Sequence, residues 1–207
     1  MTKNKAIPKI PVQQRAIQTR EKIVLSAVAL FSEKGFYKTN AIDIAKGAGV
    51  ATGTFYIYFK DKKALLIEII QKFYRDVTEK VLKESADGFT RMTDIKALVH
   101  GIIKAFYLAH EIVPDLHREV SAIILLDTEV GDVYREEEKK VYDLVYSILK
   151  EYRHCLRISD LEAAAVMVFK VSDEILHLSK ITGSPVEEHR LMAELEDMLC
   201  RYLAKPD

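Results

Sequence analysis

At 207 residues, 49% hydrophobic and 30% charged, the chain can bury a sizeable core as one large domain or as a small domain joined to a larger one. Its formal charge is zero, yet residues 1–63 hold 12 Lys+Arg against 4 Asp+Glu and residues 64–207 hold 19 against 27, so a head with eight excess positive charges precedes a body with eight excess negative ones. No apolar run approaches the roughly 20 residues of a membrane helix, and Cys155 and Cys200 stand far apart without metal-type spacing, which reads as a cytoplasmic protein with reduced thiols.

The opening MTKNKAIPKIPVQQR is basic but has no apolar centre, so residues 1–16 read as a flexible arm. Its Lys3, Lys5, Lys9 and Arg15 suit either a DNA groove or a solubilising tail. Ile23, Ala27, Leu30 and Phe31 then fall on one helical face that stops at Gly35. A short second helix is predicted after Asn40, with Asp43 in capping-box position, and it stops near Gly47-Ala48-Gly49. The segment VATGTFYIYF, residues 50–59, follows as a third short helix, so residues 40–59 read as a helix-turn-helix.

Asp61 caps a long predicted helix through about Glu84, with Leu66, Ile70, Phe73, Val77 and Val81 on one face. Further helices are predicted over Thr93–Glu111, Asp115–Asp127 and Asp132–Arg153. Two more start at capping boxes, one at Ser159 with Glu162 and one at Ser184 with Pro185 and Glu187. The fold class is all-α: a three-helix head, residues 17–63, followed by a larger helical body, residues 64–207.

The second helix of a helix-turn-helix enters the major groove. Gly53 would let the backbone approach a phosphate, Thr52 and Thr54 can donate to phosphate or touch a thymine methyl, and Tyr56 and Tyr58 pair a flat body with a donor. Lys60, Lys62 and Lys63 add charge at once. Phe55 and Phe59, four apart, should face inward onto Ile23, Ala27 and Ile44.

These residues carry a resemblance. From Ala27–Phe31 through Lys34-Gly35-Phe36, Thr39, Asp43-Ile44-Ala45, Ala48-Gly49-Val50, Gly53-Thr54-Phe55-Tyr56, Tyr58-Phe59, Lys62 and Ala64-Leu65, residues 19–66 closely resemble the amino-terminal domain of TetR-family transcriptional regulators. The resemblance implies that Thr39 contacts a phosphate with Asn40 beside it at the start of the second helix, that Tyr58 and Lys62 clamp the DNA backbone, and that Gly53, Thr54 and Tyr56 lie at the groove. Three positions depart from the family pattern. Ala51 stands where Ser is usual, removing a cap worth about 1 kcal/mol unless Thr52 replaces it. Gly47 replaces a long polar residue, and Ile42 a polar one.

The resemblance also implies a body whose last two helices pair with those of a second subunit. Leu161, Ala164, Ala165, Val168 and Ile175, with Leu191, Leu195, Met198, Leu199 and Tyr202, supply the candidate interface of a homodimer. Phe73, Phe106, Tyr107, His110, Tyr142, Tyr146 and Phe169 are the candidate ligand residues, favouring a small hydrophobic or aromatic inducer. The run Glu136-Glu137-Glu138 reads as a solvated face. No catalytic residue, cofactor or metal site is expected, since no nucleophile triad, phosphate loop or zinc-type spacing is present. The expected function is a dimeric repressor released from a palindromic double-stranded DNA operator by its ligand. An enzyme and a membrane-surface module are the alternatives.

Overall fold

The computed structural model describes residues 14–88, 95–110 and 114–205. Lys3, Lys5 and Lys9 of the basic arm therefore lie outside the described residues, whereas Arg15 is in the first helix. Among the described residues the helices run α1 (Gln14–Lys34), α2 (Ala41–Gly47), α3 (Thr52–Tyr58), α4 (Lys62–Gly88), α5 (Ile95–His110), α6 (Pro114–Leu126), α7 (Thr128–Glu151), α8 (Leu161–His177) and α9 (Glu188–Leu203). The chain is all-α, and among the described residues the sole β-type pairing is an isolated bridge between Leu156 and Ala204.

Two compact units divide the chain. The first holds Met1–Lys72 and Glu119–Val133, so a stretch that the sequence assigned to the body belongs with the head. Its core contains Ile23, Ala27, Phe31, Phe36, Ile44, Phe55, Phe59, Leu65 and Leu66, all buried. The inward face expected for Phe55 and Phe59 is therefore present. Gly35 ends α1 at a φ of 85°, a left-handed conformation that favours glycine.

Local chemistry sets several boundaries. Asn40 Oδ1 accepts from the backbone N–H of Ile42 and of Asp43, at 2.9 and 3.0 Å, and caps α2. Asp61 Oδ1 accepts from Ala64 N at 2.8 Å and caps α4, whose 27 residues span about 40 Å. Three expected starts are corrected. Helix α7 begins at Thr128, not Asp132, because Asp127 Oδ1 accepts from Val130 N at 3.2 Å. Asp160, not Ser159, caps α8 through Ala163 N at 3.0 Å. The Ser184 hydroxyl closes a turn with Val186, donating to its O and accepting from its N, so α9 begins only at Glu188.

Gly47 serves the packing of α2 on α1. A Cβ placed there would lie 2.3 Å from Ser26 Oγ, which donates to Ile44 O at 2.8 Å. Gly47→Ala should therefore cost on the order of 1–2 kcal/mol by displacing that hydroxyl. In a Ser26→Ala background the same change should be neutral or stabilising. A double-mutant cycle read by urea denaturation checks the coupling.

The second unit holds Phe73–Arg118 and Tyr134–Asp207. In it α8 and α9 both pack against α5 and against each other. Leu98, Ile102, Phe106, Val141, Val145, Leu149, Ala164, Val168, Leu195 and Leu199 form its core. Beyond α8 the backbone widens into a π-helical turn, Leu178–Thr182, before Gly183 at a φ of 90°.

Candidate DNA interface and ligand site

Helix α3 has one buried and one open face. Phe55 and Phe59 are buried, whereas Gly53, Tyr56, Ile57 and Lys60 are exposed and Thr52, Thr54 and Tyr58 are partly so. Ala51 is the N-cap residue of α3 and makes no side-chain capping bond; Thr54 N donates to Ala51 O at 2.8 Å. Thr52 thus sits inside the helix and does not replace the missing serine. A Cβ built on Gly53 would meet nothing within 4 Å, so no packing inside the head requires glycine there.

Two of the implied phosphate contacts turn inward. Thr39 is buried, and its hydroxyl donates to Gly35 O at 2.9 Å. Lys62 Nζ donates to Phe36 O at 2.6 Å and Thr39 O at 2.7 Å, with Tyr37 O at 3.4 Å, and lies 4.4 Å from the centroid of the Phe36 ring. Burial lowers its pKa from the ordinary lysine value. Both residues brace the α1–α2 turn, where backbone carbonyls outside the helices need donors. Glu119 on α6 braces the same turn by accepting from Phe36 N at 3.0 Å. Lys63 is held away from the α3 surface by Asp127 at 2.7 Å and Glu129 at 3.2 Å.

In the second unit a polar and aromatic cluster is buried. His110 is buried, its Nδ1 is 2.9 Å from Phe106 O, and its Nε2 is 3.2 Å from Asp173 Oδ1, although the ring is too poorly aligned for a good hydrogen bond there. The His117 ring lies 5.5 Å from that of His110, 5.1 Å from that of His177 and 6.0 Å from that of Phe73. Phe169 lies edge-on to Phe106 at 5.3 Å and to Tyr142 at 4.8 Å. Tyr74 and Tyr134 meet at 5.5 Å, and burial pushes both hydroxyls up, that of Tyr134 to about 12.

The predicted solvated acidic face is corrected here. Glu137 and Glu138 are buried; Glu137 Oε2 accepts from Lys140 at 2.7 Å, and Glu138 pairs with Lys170. Asp173 lies below the usual carboxylate range: burial raises it, but electrostatic attraction from His110, with His117 and Lys170, outweighs that.

His117 titrates low, at about 4, because burial disfavours its charged form; Asp173 opposes this, and His110 and His177 add to it. The unfolded chain, with an imidazole near 6.5, therefore binds the proton first as pH falls. The share of stability due to His117 is full above about 6.5 and is lost toward 4, by about 2 kcal/mol between pH 7 and 5. Urea denaturation at both pH values should show this loss, and His117→Leu should shrink it.

Residues 23–69 match the model described as bacterial regulatory proteins, tetR family, and residues 94–203 match the tetracycline repressor-like C-terminal domain. The chain belongs to the TetR family. It is 28% identical over 144 residues to the probable HTH-type transcriptional regulator YttP of Bacillus subtilis, covering 69% of this chain and 70% of that protein. Among solved structures, the fatty acid degradation regulator FadR of Bacillus halodurans aligns at 25% identity with a TM-score of 0.68, over 88% of this chain and 94% of that one. The SmeT–triclosan complex shares the fold, with a TM-score of 0.71 at 24% identity over 90% and 92%. The chain is thus a DNA-binding transcriptional regulator.

For this TetR-family chain, the structure groups some of the predicted site residues and separates others. Phe73, His110, Phe106, Tyr142 and Phe169 join the cluster. Tyr107 instead donates to Glu188 Oε1 at 2.8 Å, with Lys180 Nζ 3.7 Å from its ring centroid. Tyr146 lines a separate open hollow of about 430 Å³ with Ser159, Asp160, Leu161 and Glu162. Sequence reasoning missed Tyr74, Tyr134, His177, Glu138, Lys170 and Asp173. The available signal was Asp173 itself, a carboxylate four residues after the buried Phe169 on an otherwise apolar stripe of α8.

The predicted dimer stripe is also redrawn. Ala164, Ala165, Val168, Leu195 and Leu199 are buried within the single chain, packed in its own α5–α8–α9 core, and have no surface left for a partner. Leu161, Ile175, Leu191 and Tyr202 are half-buried and Met198 is 46% exposed. Val166 and Met167 on α8, not predicted, are 44% and 49% exposed. Among the described residues no helix is long and apolar enough to cross a membrane.

Proposed function

We propose that this TetR-family regulator is a homodimeric repressor that holds a palindromic operator and leaves it when a small hydrophobic or aromatic molecule occupies the second unit. The observation that carries the reading is the two-faced segment of α3 and the two residues after it: aromatic anchors inward, and glycine, hydroxyls and a lysine outward, in a head with eight excess positive charges. In this reading Asn40, Thr52, Gly53, Thr54, Tyr56, Tyr58 and Lys60 meet DNA, while Thr39 and Lys62 position them. Val166, Met167 and Met198 cover one another across the twofold axis, since a twofold operator calls for a twofold reader. The Phe73–Phe106–Tyr142–Phe169 wall with His110, His117 and Asp173 receives the ligand. Release follows only if the ligand binds better to the conformation that DNA disfavours.

A gel shift with the promoter beside its own gene tests the proposal. Binding should weaken steeply with salt, as phosphate contacts require, and retention on DNA should fall with apolar compounds that raise the melting temperature. Salt-insensitive binding, or none to any duplex, would overturn it.

A further inference from the structure

Gly53 and Ile57 lie four residues apart on α3, about 40° apart around its axis, and each is about 200° from the buried Phe55. They therefore share the face opposite the buried anchors. Neither gains anything inside the head. Ile57 is 58% exposed, and Gly53 has only open space where a Cβ would stand. Both are poorer helix formers than alanine, in a helix of only seven residues. Single exposed aliphatic residues are ordinary on protein surfaces. This one is different because it sits at the middle of the outward face of the second helix of a helix-turn-helix, between the exposed Tyr56 and the half-exposed Tyr58. It is an apolar spot ringed by hydrogen-bond donors.

In the major groove the apolar feature that a branched aliphatic side chain can match is the 5-methyl group of thymine. We propose that Ile57 is a specificity-determining residue that packs against a thymine methyl in each half-site, beside the backbone approach that Gly53 permits. This rests on the DNA-binding reading of α3 above. The base preference it creates comes from loss of apolar contact, so it does not depend on salt as the phosphate contacts do.

The test uses the full chain. Duplexes selected from a random pool define the half-site, and each thymine is then replaced in turn by deoxyuridine, which removes only the methyl group. At one thymine per half-site the wild-type protein should bind about fourfold more weakly. Ile57→Ala should bind the thymine and deoxyuridine duplexes equally at that position and retain the wild-type response at every other thymine. Ile57→Val, which keeps a branched apolar side chain, should retain a reduced preference. An enriched operator without a methyl-sensitive thymine, or an unchanged methyl preference in Ile57→Ala, overturns the assignment while leaving the regulator reading intact. Failure to enrich any duplex overturns both. The deoxyuridine scan on the wild-type protein stands even if a variant folds poorly.

Discussion

Replacing Lys62 by methionine is expected to destabilise the head by about 2 kcal/mol while leaving the salt dependence of DNA binding unchanged. The ammonium donates to Phe36 O and Thr39 O at 2.6 and 2.7 Å, so it ties together the two ends of the α1–α2 turn. Hydrogen bonds to a charged group contribute roughly 1.5–3 kcal/mol each, and some of that returns when water reaches the freed carbonyls. Affinity for DNA should fall because the turn positions the start of α2 and, through it, α3. A lysine that neutralised a phosphate would behave differently. Its loss would lower the slope of log K against log salt by about 0.9 with little effect on folding. Urea denaturation and a salt titration of the gel shift separate the two roles. A lower slope with unchanged stability would return Lys62 to the phosphate backbone.

The contrast between Lys62 and Lys60 shows what the sequence can and cannot carry. Both lysines follow the recognition helix, and composition gives them equal claims on DNA. One ends in solvent and the other among carbonyls 23 to 26 residues earlier. Features set by near neighbours were legible: the Asn40 cap, the glycine stop at Gly35, and the inward pair Phe55 and Phe59. Even local choices failed where adjacent residues compete, as with Ser159 and Asp160 at the start of α8. The misread acidic run had a distant cause, because Glu138 finds Lys170 thirty-two residues away. The candidate dimer stripe divides for another reason. An apolar face on α8 looks the same whether it packs on α5 of its own chain or on a partner, and only burial separates Val168 from Val166. The buried polar cluster draws His110, His117 and Asp173 from three helices, so no sequence window contains it.

Gly53→Ala should raise stability and weaken DNA binding together. An exposed glycine within a helix costs up to about 1 kcal/mol relative to alanine, and a methyl at position 53 meets nothing within 4 Å, so the substitution fits the fold without strain. The gain should be several tenths of a kcal/mol, since the residue lies in the first turn of a seven-residue helix. Against DNA the same methyl enters a packed interface. Overpacking there costs roughly 1–3 kcal/mol, or about 5- to 150-fold in affinity. Opposite signs are the informative part, because a merely structural glycine would lose stability and binding in step. Thermal denaturation and a gel shift on the same preparation give both numbers. Binding unchanged within twofold would mean that the DNA stands off from α3 at this point, and that Gly53 has no part in the readout of the groove.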